Sequence, residues 1–373
     1  MTEINMKYLI SKISKKRIKY IMSFFCAYIC FLIKKNKQKN WIVGSGNGLY
    51  ENNIEVFCDT VIAMNKDIIF YFISDSDKPT EKMKVLKKGS IKAYYYALSA
   101  EVLIFDCDNS DIAPGFINFC RGLKVNLNHG QEGLKKLSCD YYKNIKSDLT
   151  CAVSNFEKNI KIKECGANPE TVEVIGLARY DKLSRKIENK GRDILYFPTW
   201  RPWFKDDYKC SDYLEYIESI LKIINDNRLI KYLELTESKL YIKPHFKIRD
   251  AVLKSKSKNV IICKHSDNLT ELIRNTRYLI TDYSSICWDY IYQRKDVFFY
   301  QFDFERYNNE VGLYLDKSES LFKKRFSDVD ELILLLGENT DIRYKDELIN
   351  TYFCFQDKNN SLRIFNEIIR KLN

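Results

Sequence analysis

The 373-residue sequence predicts an α/β protein of two doubly wound domains, each a parallel sheet covered by helices on both faces. Three observations predict this. From residue 40 onward short apolar runs alternate with amphipathic stretches, the runs fall into two series, and the length suits two domains better than one.

The N-terminal 40 residues stand apart. They hold ten Lys/Arg against the single acid Glu3, a charge of +9 out of the chain's +11, so residues 41–373 are nearly neutral. A near-neutral body argues against a broad nucleic-acid footprint, and no nucleic-acid partner is expected. Between the basic clusters lies "YIMSFFCAYICFLI" (20–33), fourteen residues without a charge. Crossing a bilayer takes about 20 apolar residues, so the run predicts a helix lying on an anionic membrane surface rather than one that spans it. A helix packed on its own domain is the alternative. The twelve cysteines show no C-x-x-C spacing and no clustering with histidine, a pattern of a reduced, cytosolic protein.

The first series of strands is predicted at "WIVGS" (41–45), "IIFYFIS" (68–74), "EVLIFD" (101–106), "LKVNLNH" (123–129), "LTCAVS" (149–154) and "TVEVIG" (171–176). The polar stretch "ENKGRD" around Gly191 then links the domains, giving expected boundaries of 1–40, 41–190 and 191–373. The second series is "ILYFPTW" (194–200), "LYIKPH" (240–245), "NVIICK" (259–264), "RYLITD" (277–282) and "VFFYQF" (297–302). Between them, "SDYLEYIESILKIINDN" (211–227) carries apolar residues three and four apart and predicts a helix.

In open α/β sheets ligands bind beyond the carboxyl ends of the strands, so polar residues there are the candidates. His129 and Gly130 follow one strand, Thr199 and Arg201 another, Lys243 and His245 a third, and Asp282, Ser284 and Ser285 a fourth. Arginine grips phosphate bidentately and lysine supplies a point charge. Histidine exchanges protons near neutral pH, and glycine lets backbone approach closely. Serines where a strand yields to a helix suit either an anion or an ordinary N-cap. Together these residues point to phosphoryl chemistry. His265, without such neighbours, is expected to be a loop residue. Asp106 and Asp108 in "FDCD" imitate a metal-binding D-x-D pair, but aspartates after a strand are common in turns, and no metal or other cofactor is expected.

The motifs "NHGQEGLKKL", "GLARYD", "LYFPTWRP", "YIKPH" and "ITDYSSICWDYIYQRKDVFFYQFDFERY", with "GNGLYENN" before them, occur in an order that resembles the CDP-glycerol glycerophosphotransferases of teichoic acid and capsule synthesis. The resemblance covers roughly residues 41–310. It implies a GT-B architecture, with two Rossmann-like domains facing a cleft, an acceptor domain first and a CDP-donor domain second. It implies a peripheral enzyme on the cytoplasmic face of the plasma membrane. Glycerol phosphate or another polyol phosphate would pass from a CDP-polyol to a hydroxyl of a lipid-linked or polysaccharide acceptor, releasing CMP. By this resemblance His129 is the general base and His245 the second catalytic histidine. His245, Lys243, Arg201, Ser284 and Ser285 hold the donor diphosphate, and Asp282 and Asp289 belong to the same site as Gly130 and Thr199.

The sequence departs from the family pattern at Asn128, where Trp usually precedes His-Gly, at Gln131-Glu132 for Thr-Pro, at Ala178 for Pro, and at Asp296 for Pro. The first two flank the implied base and bear on the acceptor. Two rival readings stand beside it: a GT-B glycosyltransferase using a nucleotide sugar, which shares the architecture and phosphate clamp, and a non-catalytic membrane-bound nucleotide sensor or scaffold.

Overall fold

The structure is a computed structural model that describes residues 15–34, 39–64, 67–75, 80–183, 191–205, 207–245, 247–248, 253–264, 267–315, 320–322, 324–337 and 346–373. His265, the first half of the stretch expected to link the domains, and the basic residues before Lys15 lie outside the described residues. The chain forms two compact units.

The first unit is a seven-stranded parallel sheet. Its strands are β1 (Asn40–Gly44), β2 (Ile69–Ser74), β3 (Lys84–Lys87), β4 (Val102–Phe105), β5 (Leu123–Asn126), β6 (Leu149–Ala152) and β7 (Val172–Val174), in the order β3-β2-β1-β4-β5-β6-β7. Every residue of β1, β4 and β6 is buried, as expected of strands covered on both faces. Strand order reverses between β1 and β4, so the loops after these strands flank the switch point at which such sheets bind ligands.

The second unit has six parallel strands, β8 (Ile194–Phe197), β9 (Leu240–Ile242), β10 (Val260–Ile262), β11 (Tyr278–Thr281), β12 (Asp296–Tyr300) and β13 (Arg325–Phe326), ordered β10-β9-β8-β11-β12-β13. Its switch point lies between β8 and β11. The helix Ser211–Ile224 buries Tyr213, Tyr216, Ile217, Ile220, Ile223 and Ile224 along one face. It stops before the expected end because Asp226 caps the following helix, accepting from the Arg228 N–H. Two strands escaped the sequence. β3 has a single buried residue, Leu86, and β13 is two residues long, so neither forms an apolar run.

Two segments leave the expected domain boundaries. Asp357–Asn373 belongs to the first unit: the helix Asn360–Leu372 buries Ile364 and Ile368 and packs on the helix Asn52–Met64 and on β5. Gly130–Leu137 belongs to the second unit, where Lys135 bridges Leu313, the Lys136 N–H donates to the Gly312 carbonyl at 2.9 Å, and the Tyr314 N–H donates to the Leu134 carbonyl at 2.9 Å.

The N-terminal helix Lys15–Ile33 packs one face on the first unit. Ala27 is buried, and the Phe24 ring stacks on Phe116 with centroids 4.0 Å apart and meets Tyr94 edge-on. Its other face leaves Ile18, Met22, Phe25, Ile29, Leu32 and Ile33 exposed, a stripe at helical spacing. No described helix is long and apolar enough to cross a membrane.

Candidate active site

The predicted residues of the second unit follow β9, β8 and β11, three neighbours in its sheet. Asp282, directly after β11, ties two of these loops together. Both its carboxylate oxygens accept from the Thr199 N–H at 3.0 Å, and Oδ2 accepts from Arg201 Nη1 at 2.7 Å. Arg201 also donates through Nε and Nη2 to Asp303 and through Nη1 to the Thr199 carbonyl. Its guanidinium is enclosed by the rings of Tyr216, Tyr283 and Tyr307, with centroids 4.9–5.3 Å away. At 1% exposure, with two carboxylates saturating it, Arg201 is a pillar under the loops rather than an open phosphate grip.

Lys243 is likewise buried, its ammonium donating to the carbonyls of Lys264 and Asp267 at 2.9 Å. His245 stacks on Trp200, centroids 5.9 Å apart. Its Nδ1 accepts from the Lys247 N–H, which in the neutral ring leaves the proton on Nε2. Ser284 and Ser285 open the helix Ile286–Tyr292; the Ser284 hydroxyl accepts weakly from the Ile286 N–H at 3.4 Å, and Ser285 makes no side-chain cap bond. Asp289 sits inside that helix at 1% exposure.

The first unit holds His129, three residues beyond β5. Asn128, just before it, adopts φ of 59°, a left-handed conformation that Asn tolerates better than a bulky residue. Its N–H donates to Asn126 Oδ1, its side-chain amide donates to the Cys151 carbonyl, and its Oδ1 accepts from the Tyr142 hydroxyl. Behind Tyr142 lies the buried ion pair of Lys161 and Glu157 at 3.2 Å. The turn is thereby fixed from within, while the His129 side chain remains 63% exposed.

Three residues that the sequence did not single out as part of a site surround this turn. Asp106, after β4, brings Oδ2 to 3.9 Å from His129 Nδ1. Asn53 donates to the Asn128 carbonyl and accepts from the Arg179 N–H, and Arg179 Nη1 donates to the His129 carbonyl at 3.1 Å. Asp106 lifts the His129 pKa above its ordinary value, against partial desolvation and the Arg179 charge. Asp108, the other half of "FDCD", is occupied as the cap of the turn Asn109–Asp111, in line with the turn reading. Asn53 and Arg179 do lie in the quoted motifs "GNGLYENN" and "GLARYD", which was the available signal. In the latter, Gly176 (φ 85°) and Asp181 serve the C-terminal helix. A Cβ on Gly176 would meet Asn360 Oδ1, and Asp181 accepts from the N–H groups of Asn360 and Ser361 at 2.8 Å.

A family model described as CDP-Glycerol:Poly(glycerophosphate) glycerophosphotransferase matches residues 26–370. The chain belongs to this family. Among curated relatives, it is 26% identical over 374 residues to the minor teichoic acid biosynthesis protein GgaB of Bacillus subtilis (strain 168), covering 90% of this chain and 40% of GgaB. It is 26% identical over 249 residues to the teichoic acid glycerol-phosphate primase of the same strain, covering 60% of this chain and 61% of the primase. The chain thus spans less than two thirds of either relative. The solved structure of the wall teichoic acid polymerase TagF aligns with a TM-score of 0.73 at 17% identity, covering 96% of this chain and 97% of that one, a likeness of fold.

Proposed function

We propose that this family member transfers glycerol phosphate, or another polyol phosphate, from a CDP-polyol to a hydroxyl of a lipid-linked or polysaccharide acceptor during teichoic acid or capsule-type polymer synthesis. The observation that carries the reading is the family match across both units, together with an exposed histidine beside a carboxylate in the first. The printed names of the relatives, a teichoic acid biosynthesis protein and a glycerol-phosphate primase, support the substrate class.

In this reading the two units act as in a GT-B enzyme. The second unit holds the donor: His245 offers its Nε2 proton to a diphosphate oxygen, and Ser284, Ser285, Thr199 and Gly130 contribute hydroxyl and backbone donors. Lys243 adds positive charge from beneath the loops, Arg201 braces them through Asp282 and Asp303, and Asp289 belongs to the helix that follows Ser285. The acceptor oxygen attacks the glycerol-side phosphorus, its proton passes to His129 Nε2, and the phosphorus–oxygen bond to CMP breaks, releasing CMP with the bonding pair. Asp106 orients His129 by facing Nδ1.

The exposed stripe of the N-terminal helix, flanked by Lys16, Arg17, Lys19 and Lys34, suits an anionic bilayer. We place the protein there, peripherally, on the cytoplasmic face.

The test is nucleotide release from a donor panel, CMP from CDP-glycerol and CDP-ribitol and UDP from UDP-sugars, with donor binding followed by calorimetry. His129→Ala is expected to lose about 10²- to 10⁴-fold in turnover while donor affinity is kept. Near wild-type CMP release from His129→Ala removes it as the base, and turnover confined to UDP-sugars replaces the transferase reading with a glycosyltransferase.

A further inference from the structure

Asp106, Cys107 and His129 each offer a ligand atom, and the three atoms all lie within 4.8 Å of one another. We propose that they form a binding site for a thiophilic divalent cation of the zinc class, and that its occupation switches His129 off as a base. The second half of this statement rests on the role proposed for His129; the first does not.

The site is built rather than accidental. It lies where the loops after β1, β4 and β5 converge, at the switch point of the first sheet. The Gly46 N–H donates to Asp106 Oδ1 at 3.0 Å, which fixes the carboxylate and leaves Oδ2 toward His129. The Cys107 N–H donates to Asp111 at 3.0 Å, which fixes the backbone that carries the thiol. A Cβ on Gly46 would stand 2.4 Å from Cys107 Sγ, so only glycine leaves room for the sulfur where it is. Asp106 is buried, Cys107 partly so, and the exposed His129 side chain gives a cation its entry path.

The donor set selects the ion. Hard cations such as Mg²⁺ and Ca²⁺ take oxygen ligands, whereas one thiolate, one imidazole and one carboxylate suit zinc and its neighbours. Three protein ligands leave a fourth position for water, and ligand movements of about 1 Å bring the separations to those of a tetrahedral centre. On binding, the thiol proton leaves to solvent and a metal–sulfur bond forms; no electron is transferred. Without metal, Asp106 favours the proton on Nδ1 and leaves the Nε2 lone pair basic. Coordination at Nδ1 forces the ring proton onto Nε2, where it can no longer accept a proton from the attacking hydroxyl.

Titration of the chelator-stripped full chain with Co²⁺ reads binding directly. A near-ultraviolet thiolate-to-cobalt charge-transfer band is expected, displaced by Zn²⁺, abolished in Cys107→Ser and in His129→Ala, and retained in Cys139→Ser, which removes an exposed cysteine elsewhere. Circular dichroism shows whether each variant is folded, and Asp106→Asn, which keeps the side-chain shape, provides a second ligand variant. Absence of the band in folded wild type, or its persistence in Cys107→Ser, overturns the site. In the same preparations, stoichiometric Zn²⁺ should suppress CMP release at least tenfold, with recovery on chelation. A band that vanishes in Cys107→Ser beside CMP release indifferent to Zn²⁺ overturns the switch and, with it, the role of His129 as base.

Discussion

Arg201 donates to Asp282 through Nη1 at 2.7 Å, and the two side chains are 1% and 5% exposed. A buried charge pair of this kind is costly to break, because removing one partner strands the other in a medium of low dielectric. Arg201→Ala is therefore expected to destabilise the fold by about 3–5 kcal/mol, read as a lower denaturation midpoint. Arg201→Lys should recover little, since an ammonium cannot reproduce the fork that spans Asp282 and Asp303. A stable Arg201→Ala protein that merely binds donor weakly would restore the phosphate-grip reading.

Asp106 sets the pH response of His129. The base works only when neutral, and Asp106 raises its pKa, so activity should fall as pH drops through that raised value. Replacing Asp106 by Asn removes the raising charge, leaving desolvation and Arg179 to lower the pKa. In chelator-treated protein, the acidic limb of kcat/KM should move to lower pH and kcat should fall as the ring loses its orienter. A limb that stays in place, or moves to higher pH, excludes the pairing.

Asn128 holds a left-handed backbone that Asn adopts more readily than a bulky residue. Asn128→Trp is expected to cost about 1–2 kcal/mol in backbone strain, in addition to the lost side-chain bonds. Asn128→Gly should relieve the strain and keep only the bond cost. Equal thermal midpoints for the two variants would contradict this account.

Opposite faces of the N-terminal helix should separate in experiment. Phe25→Glu with Ile29→Glu alters exposed positions, so stability is expected to stay within about 0.5 kcal/mol while sedimentation with anionic vesicles is lost. Phe24→Ala empties a stacked, buried position and should cost about 3 kcal/mol or more. Retained vesicle binding in the double variant assigns the stripe to another partner.

Asp181 gathers the N–H groups of Asn360 and Ser361 together with the Asn360 amide. Asp181→Ala should lower stability by about 2 kcal/mol and expose the amides of Asn360–Leu372 to hydrogen exchange. Unchanged protection there would show that the helix is held by Ile364 and Ile368 alone.

Much of this was legible in the sequence because the parallel strands are continuous apolar runs and their carboxyl ends carry the unusual polar residues. What was not legible depends on sheet order. Asp106 and His129 are 23 positions apart in sequence and meet because β4 and β5 are neighbours. Arg201 looked like an open cation after a strand, and it is enclosed by Asp282 from the loop after β11, Asp303 from the loop after β12, and three tyrosine rings. The pattern of Asn360–Leu372 gives an amphipathic helix but does not state which sheet it covers.

The helix Asn360–Leu372 completes the first unit, although the ribosome makes it after Leu183–Gln356. The strands of the first sheet must therefore wait, with part of their apolar face uncovered, while the second unit is translated. Nascent chains stalled anywhere before residue 360 should be the species that chaperones capture, and no single cleavage point yields two self-sufficient halves.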